Sequence, residues 1–179
     1  MDLGRIRSSM NRDGAPLPAP PLVYEPTARL VYSDLGLPEL FAHAAARGGL
    51  AAQLVHVEDL AAELVDHLRQ QGIGQIALSA SPILRKVRLA DAVAELGVEM
   101  FEAPGEGRAL VAGCDAAVAE TGSLVFRGSV PAGWQRAAAR VVVLEPKILV
   151  PDLIDLLASR PGELTLVSGP AAVKVFVLH

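Results

Sequence analysis

The 179-residue sequence predicts an α/β protein built on a Rossmann-like, mostly parallel sheet with one antiparallel excursion. Three observations lead there. Hydrophobic residues make up 51% of the chain but aromatic ones only 4%, so the core is aliphatic and must be shared among helices and strands. From Gly36 to Phe101 short apolar runs alternate with amphipathic stretches, the pattern of parallel strands joined by crossover helices. After Ala103 the alternation stops, and AAVAE and SLVF follow one another with only a polar turn between them.

Residues 1–22 read as an arm or linker, because Pro16, Pro18, Pro20 and Pro21 deny it regular hydrogen bonding, and 23–179 read as one α/β domain. Pro38 suits a first helical position, Leu40, Phe41, Ala44 and Ala45 form an apolar stripe, and Gly48 suits the stop. AQLVHV at 52–57 predicts a strand. Glu58 and Asp59 open a second helix, in which Leu60, Ala61, Leu64, Val65 and Leu68 recur at helical spacing as far as Arg69 and Gly72. A strand at 76–80 (IALSA), a helix over 88–96 with Leu89, Ala92, Val93 and Leu96 inward, and a strand at 98–101 (VEMF) follow.

Beyond a loop at 105–108, the predicted elements are the pair around the polar turn, a short helical piece near 132–139 and the strand RVVVLE at 140–145. A helix from Pro151 and the strands ELTLVS and VKVFVLH complete the chain. The last two strands are separated by too few residues for the crossover of about 10–12 that parallel neighbours need, although a hairpin would fit. The piece ending at Ala139 meets RVVVLE with no loop. Segments are therefore expected to be absent near Ala139 and near Pro170.

Composition removes several functions. A net charge of −4 lacks the basic excess of a nucleic-acid binder. The single cysteine, Cys114, can form neither an internal disulfide nor a cluster or zinc site, so no cofactor or metal is expected in this chain and the setting expected is cytoplasmic. No run of about 18 uncharged apolar residues predicts a membrane span. The four histidines share no metal-ligand spacing. GIG at 72–74 precedes a strand rather than following one, GEG at 105–107 lacks a P-loop lysine, and there is no G-x-S-x-G elbow.

The chemistry concentrates in GCDAAVAETGSLVF at 113–126, where Glu120, Thr121, Gly122 and Ser123 interrupt an apolar run. Gly122 can take the positive φ of a sharp reversal, and backbone N–H groups from Thr121 to Ser123 can converge on an anion with the two hydroxyls beside them. Glu120 then serves as base, nucleophile or carboxylate anchor; in the alternative it caps a neighbouring backbone group in a purely structural turn. No Asp or Glu lies between Thr121 and Leu144, while Arg127, Arg136 and Arg140 do, so Arg127 and Arg136 are either charge partners for a bound carboxylate or scattered surface residues. Asp115 is a further candidate for the binding set. Lys147 is weaker, with Glu145 close enough in sequence to pair with it.

AGCDAAVAETGSLVF resembles the signature of the LUD-domain, or lactate-utilisation, family, supported by VPDLIDLL at 150–157 and LTLVSGP at 164–170. The resemblance spans roughly residues 30–179. It implies a fold similar to the sugar-isomerase and CoA-transferase group. It also implies a role in oxidising lactate to pyruvate, with a small organic acid such as lactate as ligand and iron–sulfur lactate-utilisation proteins as partners. Two departures from the family accompany it: Pro170 runs straight into AAVKVFVLH, and the stretch from Trp134 to Val141 is short. Two alternatives stand beside this role. One is an acyl-CoA transferase-like enzyme with Glu120 as nucleophile, since Glu120-Thr121-Gly122 resembles the carboxylate turn of that fold group. The other is a non-catalytic scaffold for the partner oxidoreductase subunits.

Overall fold

The computed structural model describes residues 35–159, 162–169 and 172–179. The proposed arm at 1–22 and the expected gap at Pro170 lie outside the described residues. In chain order the elements are α1 (Leu37–Gly48), β1 (Ala51–Val55), α2 (Leu60–Gln70), β2 (Gln75–Leu78), α3 (Pro82–Lys86), α4 (Leu89–Glu95) and β3 (Glu99–Phe101). They continue with β4 (Ala109–Gly113), β5 (Ala116–Val118), β6 (Ser123–Arg127), β7 (Ala139–Leu144), a 3-10 turn (Pro146–Ile148), β8 (Leu149–Val150), α5 (Leu153–Ser159), β9 (Leu164–Val167) and β10 (Val173–Leu178).

Six strands form a parallel sheet in the order β1-β10-β7-β4-β2-β3. Its centre is apolar on both faces because β7 from Val141 to Leu144 and β10 from Val175 to Leu178 carry only apolar residues. Val141 and Val143 on β7, with Phe176 and Leu178 on β10, face a core closed by Leu60, Leu64 and Leu68 of α2 and by Ile83, Leu89 and Val93 of α3 and α4. The alternate residues, Val142, Leu144, Val173, Val175 and Val177, face a second core with Phe41 and Ala45 of α1. A continuous Val-rich run is what a strand covered on both sides requires.

The antiparallel excursion is a separate four-stranded sheet, ordered β8-β5-β6-β9, in which β5 pairs antiparallel with β6, β6 antiparallel with β9, and β5 parallel with β8. Ala117, Ala119, Leu124 and Phe126 turn one of its faces onto the second core. Ala116, Val118 and Val125 turn the other onto Leu156 of α5. The other large apolar residues of that helix, Leu153, Ile154 and Leu157, are exposed.

Three expectations change. The segment 132–139 is not helical: Gly133 at φ +80° breaks it into successive turns, from which Ala138 donates to the Arg108 carbonyl at 2.8 Å and leads unbroken into β7. No gap exists at Ala139. The strands β9 and β10 form neither a hairpin nor parallel neighbours, because β9 pairs with β6 in one sheet while β10 lies between β1 and β7 in the other. A short connection suffices to pass from sheet to sheet, so the loop-length argument for missing residues loses its premise. Among the described residues no helix is long and apolar enough to cross a membrane.

Phe176 is fully buried, with the His67 ring edge-on at 6.5 Å. Its replacement by Ala is expected to cost about 3–5 kcal/mol, read as a fall in the urea midpoint with unchanged slope. A loss under about 1 kcal/mol would mean that β10 is not part of the central core.

Candidate functional site

The hairpin β5–β6 places the polar turn at its closed end. Three residue pairs, Ala116 with Val125, Ala117 with Leu124 and Val118 with Ser123, set its register. Gly122 completes the reversal at φ +66° and donates to the Val118 carbonyl at 2.9 Å. Ala119 and Glu120 donate to Val150 and Pro151, at 2.8 and 3.0 Å, tying the turn to β8. Gly122 presses against the backbone of Ala44 and Ala45 in α1, so close that a Cβ there would fall inside van der Waals contact. The turn is thus pinned from two sides.

This changes what the turn can do. The Gly122 N–H, one of the donors that the sequence aims at an anion, is held by the hairpin itself. Thr121 and Ser123 hydroxyls lie 2.8 Å apart and bond each other, with Ser123 buried. Glu120 and Thr121 are exposed, so Glu120 is not lodged against the apolar strands.

The remaining residues of the expected set lie elsewhere. Arg127 is four strand residues beyond Ser123, about 13 Å along the backbone at ordinary strand rise. It shares the open end of the hairpin with Asp115, whose Oδ2 accepts from the Arg127 backbone N–H at 2.8 Å. Arg136 is exposed in the turns at 132–136, a segment that packs on the hairpin through Trp134 against Phe126, again away from the reversal. The structure therefore brings Glu120, Thr121, Gly122 and Ser123 together, and Asp115 with Arg127, but does not join the two groups.

A different cluster lies beyond the carboxyl ends of β1, β10 and β7. Glu145 follows β7 directly, Lys86 ends α3, and Lys147 sits in the 3-10 turn that Pro146 opens. Both lysines bond the Glu145 carboxylate, Lys86 through Oε1 and Lys147 at 2.5 Å through Oε2. The two lysines hold the Glu145 carboxyl below its ordinary value, Lys147 more than Lys86. These three side chains line a cavity of about 410 Å³ with Val57, Val87, Pro146, Leu178 and His179. The His179 ring lies 4.0 Å from that of His56, and the His179 N–H donates to Val55. The sequence carries a signal for Glu145, a lone acid directly after the apolar run Val141 to Leu144, but none for Lys86, 59 residues away.

A smaller cavity of about 200 Å³ opens at the amino ends of the same strands, lined by His67, Gln71 and Lys174. Lys174 reaches Gln53 Oε1 at 2.7 Å, and Gln53 in turn donates to Glu63. Burial lowers the pKa of Lys174, and burial together with the Lys174 charge lowers that of His67.

No family model matches this chain, and no curated protein matches its sequence. Among solved structures it is similar to the crystal structure, at 1.70 Å resolution, of a DUF162 family protein from Deinococcus radiodurans. The TM-score is 0.57 at 16% identity, over 80% of this chain and 96% of that one. The likeness is one of fold. This chain's own parallel sheet and helices make the α/β architecture that the sequence predicts.

Two outcomes test the local geometry. Gly122→Ala must strain a left-handed residue and push against α1, and is expected to cost about 2–4 kcal/mol; a melting temperature equal to that of the parent would refute the close approach. For Glu145, a lowered folded-state pKa means stability that is present above the ordinary carboxylate range and is lost as pH falls through the lowered value. Glu145→Gln is therefore expected to melt below the parent near neutral pH and to converge with it in acid. A difference that persists undiminished at the acid end contradicts the ion cluster.

Proposed function

We propose that this chain is a LUD-domain protein acting in the oxidation of lactate to pyruvate, alongside partner proteins whose iron–sulfur clusters take the electrons. DUF162 and LUD denote the same family, and the fold likeness over 80% of the chain is the observation that carries the reading. The hairpin built from the LUD-like signature residues supports it. Lactate gives up two electrons and two protons in becoming pyruvate. One cysteine cannot ligate a cluster, which leaves the electron acceptor to a partner.

Within this reading the Glu120–Ser123 turn is where the chain meets its assembly. Its exposed Glu120 and Thr121 sit on a backbone already ordered by β8 and α1, so contact there costs little further ordering. A small organic acid such as lactate is bound by the assembled proteins near this turn, with Glu120 as the anchoring carboxylate and cations supplied from outside the Arg127 and Arg136 pair. The same exposure of Glu120 favours a second reading, acyl-CoA transfer with the carboxylate as nucleophile: its oxygen attacks the thioester carbonyl and CoA thiolate leaves, giving an acyl-glutamyl anhydride.

In cells that need this chain to grow on lactate, the E120K/T121K variant is expected to fold normally, to lose growth on lactate and to stop co-purifying with iron–sulfur proteins. Normal growth on lactate with the variant would remove the turn from the assembly. A hydroxylamine-sensitive adduct on Glu120 after incubation with acyl-CoA, absent in Glu120→Gln, would establish the transferase reading instead.

A further inference from the structure

The cavity at the carboxyl ends of β1, β10 and β7 has no part in the lactate reading and does not depend on it. We propose that it binds a monocarboxylate carrying an aliphatic or aryl body, with the carboxylate on Lys86 and Lys147 and the body against Val57, Val87, Pro146 and Leu178. Open parallel sheets bind ligands beyond the carboxyl ends of their strands, where loops diverge and leave a crevice. At about 410 Å³ this cavity has the size of a small-molecule site, and its mixture of apolar walls with a few charged groups is that of one.

Stability alone does not account for the charges. Ion pairs made by lysines as exposed as Lys86 and Lys147, 64% and 68%, make a modest contribution to folding. What the arrangement does is position them. Glu145 is only 13% exposed, at the end of β7, and its carboxylate, ionised at neutral pH, holds both lysines. Each ammonium has three N–H donors and, among the described residues, uses one on Glu145, so two on each lysine stay open to a ligand or water. A single carboxylate offers one oxygen to each lysine. The apolar wall selects the rest of the ligand. Val57 is 48% exposed, an apolar side chain at the cavity that an aliphatic or aryl group would cover.

The probe is hexanoate, titrated into the full chain and followed by amide and side-chain NMR shifts, with hexanol as its uncharged counterpart. Saturable shifts at Val57, Val87, Leu178 and His179 are expected, weaker at raised salt because the lysines are exposed. In the K86A/K147A variant, and in the milder K86Q/K147Q, affinity is expected to fall roughly tenfold or more, the loss of charge-assisted bonds. Glu120→Gln should leave the titration unchanged, separating this site from the turn. Hexanol binding as tightly as hexanoate, equal affinity in the lysine variants, or shifts confined to other residues would each overturn the proposal, as would inorganic phosphate displacing hexanoate at equal concentration.

Discussion

The architecture depends on one constraint, that β7 and β10 are covered on both faces. Each apolar residue of these adjacent strands belongs to one of two cores by its parity alone: Val141, Val143 and Phe176 to one, Val142, Val175 and Val177 to the other. Neither face has room for a charge in the middle of the sheet, so the charged groups gather at the strand ends. Glu145 directly after β7 and Lys174 near the start of β10 mark the two limits of the apolar zone.

The second sheet is fastened through small side chains. Ala117 and Ala119 let β5 approach the second core closely, and Ala44 and Ala45 let Gly122 rest on α1. Small residues on both sides make the fit short-ranged and intolerant of added atoms. The hairpin therefore moves with the main sheet as one packed unit, and its exposed tip is presented in a defined direction without a ligand to hold it.

Much of this was legible in the chain. Alternating apolar strands and amphipathic helices located α1, α2, α4 and most strands, and the paired strands around the polar turn follow from their spacing. The strand β4 escaped because ALVAG has one β-branched residue, Val111, among Ala, Leu and Gly, and α3 because five residues cannot display a helical period. The segment 132–139 misled in the opposite way: Gln135 to Ala139 are good helix formers, overridden by Gly133 in a left-handed conformation. At the site, nearness in sequence is not nearness in space. A hairpin has two ends, and Asp115 and Arg127 are at the open one while Glu120 and Thr121 are at the other. The Lys86–Glu145 contact spans distant segments joined only by the topology, which no local pattern encodes.

The pairing of β1 with β10 has a consequence for synthesis. Ala51 lies opposite Lys174, so the first strand of the sheet waits for the last before it has a neighbour at all. At ordinary translation rates the intervening stretch of about 120 residues takes roughly 6 to 24 s to emerge. For that interval the nascent chain carries α1 and β1 without the strand that completes their shelter. The ribosome-bound state, more than the finished protein, is where this fold is most open to chaperones and to aggregation, and a chain cut short before β10 would leave the ribosome with β1 still unpaired.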